Sequence, residues 1–193
     1  MLKVSIIATS LFAMSVSAYT LPENKIDSGK VYAQEKPITL LGQGVTEGQK
    51  APDFKVVNDA FVPVKLSDFQ GKAVLISVVP SLDTGICSLQ TKHFNEQVAK
   101  TFSNIEMLTI SADLPFAQKR FCKQENIDKV VTLSDSVWRN FGENYGLYIK
   151  DMGLLSRAVF ILDKEHNIVY KQLVKNLATE PDYSQVVEKL KTL

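Results

Sequence analysis

Two cysteines, two histidines and one tryptophan in 193 residues leave little material for metal or cluster chemistry. Zinc and iron–sulfur centres need more ligands than Cys87, Cys122 and the unclustered pair His93 and His166 supply. A surplus of charge is missing too. Twenty-two basic against 21 acidic residues give a formal +1, which carries no signature of a nucleic-acid or anionic-membrane partner. Internal repeats and low-complexity segments are absent. Hydrophobic content of 45% and charged content of 22% instead describe one soluble domain large enough to bury a core.

The only long apolar stretch outside candidate strands lies at the start. Met1-Leu2-Lys3 supplies a positive charge, Val4 to Met14 is almost wholly apolar, and Val16-Ser17-Ala18 offers small residues for cleavage. This run is too short to span a bilayer comfortably. Residues 1–18 read as a cleaved signal peptide, 19–36 as a polar tether and 37–193 as the folded domain. The expected compartment is a bacterial periplasm, with no membrane contact after cleavage. In an exported protein, two cysteines most simply make one structural disulfide, and a catalytic reading must offer more than their number.

Along the chain, Pro37–Leu41 is a strand candidate, and Phe54–Val57 with Phe61–Lys65 reads as a hairpin around Asn58-Asp59. Ala73–Val79 is an apolar, β-rich run of the kind buried on both sheet faces, and Ile105–Ser111 is the next buried-strand candidate. Pro115 opens a helix with Cys122 toward its end, and Val130–Leu133 is a third strand. Ser134-Asp135 offers a cap for a helix reaching Tyr145-Gly146. Ala158–Leu162 pairs with Ile168–Leu173, and Tyr183, Val186, Val187 and Leu190 form one face of a closing helix. Strands alternating with helices, with a hairpin at each end, predict an α/β three-layer domain with a mixed sheet. Phe94, Phe102, Phe116 and Phe121 read as core, Trp138 as ordinary packing and the histidines as surface residues.

Chemistry concentrates where Val79 gives way to Pro80-Ser81-Leu82-Asp83-Thr84-Gly85-Ile86-Cys87. Pro80 ends the strand because it has no N–H to donate. Phe94, Val98 and Phe102 follow Cys87 at helical spacing, so Cys87 lies in or beside a first helical turn. Unpaired N–H groups and the positive end of the dipole favour an anion there. A thiol so placed loses its proton more readily, and the thiolate is the nucleophile. Ionisation alone gains roughly 30-fold, about 2 kcal/mol, against the ~8 kcal/mol or more that enzymes supply. Neighbours must therefore act on the substrate as well. Spacing alone leaves Thr84 as a helix cap, Pro80 as a strand stop and Arg157 as the end residue of a strand.

Pro80-x-x-x-Thr84-x-x-Cys87 resembles the active-site motif of the peroxiredoxins, and PSLDTGICSLQTKHFN resembles their thiol peroxidase branch. The similarity continues through SADLPFAQKRFC, Arg157-Ala158-Val159 and LATEPDYSQVVEKLK. It implies a thioredoxin-like fold with an N-terminal hairpin extension, and reduction of hydrogen peroxide or organic hydroperoxides. Cys87 would become a sulfenic acid and Cys122 would resolve it to an intramolecular disulfide. Thr84, Pro80 and Arg157 would complete the site. The resemblance also implies no metal, haem or flavin, electrons from a thioredoxin-like dithiol donor, and a homodimer. Thr84 stands where a thioredoxin-type CxxC would hold its first cysteine, which removes disulfide exchange within one turn. Thr109 occupies the place of a third cysteine found in some thiol peroxidases. The alternative from a different class is a secreted thioredoxin-fold binding module with a structural disulfide.

Overall fold

The computed structural model of the chain describes residues 25–26 and 30–193. The expected signal peptide lies outside the described residues. Four short strands come first: β1 (Lys25–Ile26), β2 (Tyr32–Ala33), β3 (Lys36–Pro37) and β4 (Leu40–Leu41). The hairpin β5 (Lys55–Val57) and β6 (Pro63–Lys65), then a 3₁₀ turn at Leu66–Phe69, lead into β7 (Val74–Val78). Helix α1 (Gly85–His93) continues through a π-helical turn, Phe94–Val98, into α2 (Ala99–Thr101). Next come β8 (Glu106–Ser111), α3 (Pro115–Glu125), β9 (Val131–Ser134), α4 (Asn140–Tyr145) and β10 (Tyr148–Ile149). The hairpin β11 (Ala158–Leu162) and β12 (Ile168–Leu173), then α5 (Tyr183–Leu190), close the chain.

Seven strands make one mixed sheet in the order β12-β11-β7-β8-β9-β5-β6. Strands β7, β8 and β9 run parallel, and β11 pairs antiparallel with β7. Every residue of β7 and β11 is buried, which explains runs that are apolar but for Ser77. Alternation splits β7 between two cores. Val74, Ile76 and Val78 pack with Phe141, Tyr145 and Phe160, whereas Leu75 packs with Phe94, Phe121 and Val186 on the other side. Register then positions the chemistry. Ala158 lies opposite Val78, so Arg157, just before β11, and Pro80, just after β7, leave the sheet at the same end.

Packing begins ahead of the Pro37 boundary expected from sequence. Val31 is buried in a cluster with Leu40 and Ile149. Tyr32 N–H donates to Lys175 O at 2.8 Å, and Leu177 N–H donates to Tyr32 O at 3.0 Å. Strands of two residues have no periodicity to read, so the segment resembles a tether in composition. Phe116 is not core: it is 67% exposed, and its ring lies 5.2 Å from that of exposed Phe61. Phe121 takes the inner face of α3 instead. His166 is not a surface residue. A left-handed turn (φ 61°) folds its ring inward, and Nε2 lies 3.1 Å from Phe69 O.

Helix α4 starts at Asn140, later than a cap at Ser134-Asp135 predicts. Asp135 nevertheless serves the helix start from a distance. Its carboxylate accepts from Phe141 N–H at 3.0 Å, Gly142 N–H at 2.8 Å and Tyr148 Oη at 2.8 Å. Gly142 has to be glycine here, because a Cβ would collide with the Tyr148 ring. Burial pushes the Asp135 carboxyl up from the ordinary 3.8 to about 6, outweighing its three donors. A raised carboxyl favours the folded state while protonated, and that contribution is lost as pH rises through 6. From about pH 4.5 to about pH 7, wild type should lose about 2 kcal/mol relative to Asp135→Asn. Urea unfolding of both proteins at the two pH values checks this; parallel pH profiles would contradict it.

Candidate active site

The loop after β7 delivers Cys87 to the third position of α1, fully buried. Thr84 is the residue before the helix, yet its hydroxyl caps no helical N–H. Thr84 Oγ1 lies 2.8 Å from Cys87 Sγ and 3.1 Å from Ser81 O. With one proton it donates to one of these at a time, and its lone pairs remain free for another donor. The capping role suggested by spacing is thus not the one it takes. Pro80 is buried at the end of the strand, beside the same groove.

Arg157 is the largest side chain buried to this depth, at 1% exposure, and not a solvated strand end. Its Nη2 lies 3.3 Å from Cys87 Sγ across 70 residues of sequence. Nη1 donates to Gln90 Oε1 at 2.6 Å, and Nη2 and Nε donate to Leu177 O at 2.9 and 3.3 Å. The ion pairs among the described residues do not include Arg157. A guanidinium taken out of water needs a counter-charge or a full set of acceptors. Two carbonyl oxygens and one sulfur are what it has.

Gln90 and Leu177 join the site through Arg157, and sequence reasoning missed both. Gln90 lies one turn beyond Cys87 on α1, fully buried, and its Nε2 donates to Ser77 Oγ at 2.8 Å. The amide thereby has its orientation fixed: donors to the sheet, carbonyl to Arg157. In sequence a glutamine three residues after the cysteine is only a polar helix position, and nothing local marks it as buried. Leu177 contributes only its backbone, which has no signature in sequence.

Cys122 occupies different surroundings. It is half-buried near the end of α3, with Sγ 3.2 Å from Thr132 Oγ1 of β9. Burial pushes its thiol up, with the Thr132 hydrogen bond acting against that. Both cysteines are free thiols. A groove of about 510 Å³ opens beside Thr84 and Arg157, with apolar walls from Pro80, Ile86, Leu89, Met152, Leu154 and Leu177. Trp138 takes no part in it and lies under Lys55, whose Nζ is 3.9 Å from the ring centroid. His93 stacks on Tyr183 with centroids 3.7 Å apart, and burial holds its imidazole below the ordinary range.

Comparison with known proteins gives the geometry a context. The Redoxin family profile matches residues 46–187. A thiol peroxidase of Bacillus subtilis (strain 168) is 47% identical over 157 residues, 81% of this chain and 93% of that one. The crystal structure of a peroxiredoxin-like protein from Aquifex aeolicus superposes with a TM-score of 0.80 at 39% identity, covering 86% of this chain and 97% of that one. A thiol peroxidase from Chromobacterium violaceum shares the fold at 20% identity, with a TM-score of 0.77 over 84% and 95% of the two chains.

Proposed function

We propose, for a chain that belongs to the Redoxin family and is a peroxiredoxin-type thiol peroxidase, that hydroperoxides are reduced at Cys87 and that Cys122 resolves the product. The fold is thioredoxin-like, with its N-terminal hairpin extension. One observation carries the site assignment: a buried guanidinium without a carboxylate partner among the described residues points at the Cys87 sulfur. The thiolate is the anion that would balance it.

In the first step the Cys87 thiolate attacks one peroxide oxygen and the O–O bond breaks. Sulfur is oxidised to a sulfenic acid, and the other oxygen leaves as water or an alcohol after taking a proton. Arg157 would hold the thiolate and stabilise charge gathering on the leaving oxygen. Thr84 would steer its hydroxyl between sulfur and peroxide, while Pro80 shields the thiolate from water. The apolar groove suits an organic hydroperoxide, whose alkyl tail it has room to accept, as well as hydrogen peroxide. In the second step Cys122 attacks the sulfenic sulfur, an S–S bond forms and water departs. A thioredoxin-like dithiol then returns both sulfurs to thiols.

Residues 1–18 support export, and the oxidising compartment this implies would require an exported reductant. We further propose that the working form is a homodimer. The test is peptide mass mapping of pre-reduced protein treated with one equivalent of hydrogen peroxide. A Cys87–Cys122 bond that forms only with peroxide is expected. Its absence, with both thiols intact, would overturn the reading.

A further inference from the structure

Between the two cysteines lies a hydrogen-bonded bridge centred on Asp113. This residue follows the end of β8 and precedes α3, the helix that carries Cys122. Its carboxylate accepts three donors. Ser81 Oγ gives 2.7 Å to Oδ1, and Leu82 N–H gives 2.7 Å to Oδ2. Both belong to the loop that leads into Cys87. Ser111 Oγ donates to Oδ2 at 2.8 Å, and accepts in turn from Gln118 Nε2 at 3.0 Å. Gln118 is one turn before Cys122 on α3, and its Nε2 also donates to Leu133 O at 2.9 Å. The Asp113 carbonyl accepts from Ser134 Oγ at 2.5 Å.

We infer that Asp113 is a positioning residue, a latch that holds the Cys87 loop and helix α3 closed together and so sets the rate of the resolving step. This rests on the reading that Cys122 resolves Cys87. Three donors aimed at one carboxylate make charge-assisted bonds, about twice as strong as neutral ones. The loop donors meet on Asp113 itself and the α3 tie reaches the same carboxylate through Ser111 Oγ, so the two elements are coupled through it. An opposing element is built into α3. Gln118 is fully buried, and its Oε1 has no partner among the described residues, so opening the helix lets water reach an unpaired acceptor. The latch is what opposes that gain. Exposed ion pairs such as Arg120–Asp83, at 3.5 Å, add little to it.

Two measurements on full-length protein test this. Hydrogen exchange of reduced Asp113→Asn, without peroxide, should show roughly tenfold faster exchange of amides 116–125 than wild type. Ser81→Ala, which removes a single donor, should show a smaller acceleration and stands in if Asp113→Asn fails to fold. Under excess peroxide the fraction of Cys87 driven to sulfinic acid, against disulfide, should fall severalfold in both variants, because α3 opens sooner. Asp135→Asn, which loosens α4 instead, should leave that partition as in wild type. Exchange of α3 unchanged from wild type would overturn the latch. Faster exchange with an unchanged partition would overturn its control of resolution. Wild type that forms no peroxide-driven disulfide would overturn the resolving role of Cys122, while the exchange measurement still decides the latch.

Discussion

Cys87→Ser is expected to lose peroxide turnover by at least about 10³-fold, whereas Cys122→Ser keeps the first turnover and loses those that follow. The two cysteines are not equivalent in the fold. Cys87 has Thr84 Oγ1 and Arg157 Nη2 directed at its sulfur, and serine would put a hard, protonated oxygen where a soft anion is needed. Cys122 Sγ has Thr132 Oγ1 as its hydrogen-bond partner and no cation directed at it among the described residues, and its thiol is pushed up by burial. It therefore makes a poor nucleophile until α3 opens, and its loss should leave the peroxide step within about threefold of wild type. On the proposed cycle, its loss should leave a sulfenic acid at fully buried Cys87 that further peroxide carries to sulfinic acid. Stopped-flow consumption of one equivalent of peroxide reads the first step. Steady-state turnover with a protein dithiol reads the cycle, and should fall at least about tenfold in Cys122→Ser. If both variants fold and neither loses peroxidase rate, Cys87 is not the sulfur that reacts with peroxide and the site assignment fails.

What sequence revealed follows from where each signal resides. The strands β7 and β11 announce themselves because burial on both faces demands nearly continuous apolar runs, and β8 is legible from Met107, Leu108 and Ile110. Pro80, Thr84 and Cys87 are near neighbours, so a short motif contains them. Arg157 was legible as the residue before a core strand, but only the antiparallel register of β11 on β7 shows why it meets Cys87. Gln90 reads as an ordinary polar helix residue until Ser77 and Arg157 are seen on either side of its amide. The Leu177 carbonyl has no side-chain signal, and the strap that carries it is pinned by Tyr32 from a segment too short-stranded to show a pattern. Asp135 looked like an adjacent cap. It reaches N–H groups six and seven residues ahead, which no local pattern encodes.

Arg157→Lys is expected to lower the second-order rate constant for peroxide by about 10²-fold, and Arg157→Met by about 10³-fold. The guanidinium serves Gln90 Oε1, Leu177 O and Cys87 Sγ together through a planar fork. An ammonium retains the charge but cannot span those three directions, so it recovers only part of the effect. Methionine removes the charge and leaves two buried carbonyls unpaired, costing on the order of 1–3 kcal/mol of stability for each. Stability and rate must therefore be measured side by side. Circular dichroism and urea midpoints report the first, and stopped-flow reaction with hydrogen peroxide and with cumene hydroperoxide reports the second. The lysine variant decides the matter, since it is the milder change to packing. Folded Arg157→Lys that reacts within about threefold of wild type would mean that the bridge to Gln90 and Leu177 is architecture alone. A loss equal for both peroxides would mean that Arg157 acts on the O–O bond and the thiolate, which every hydroperoxide presents, and not on the tail in the groove.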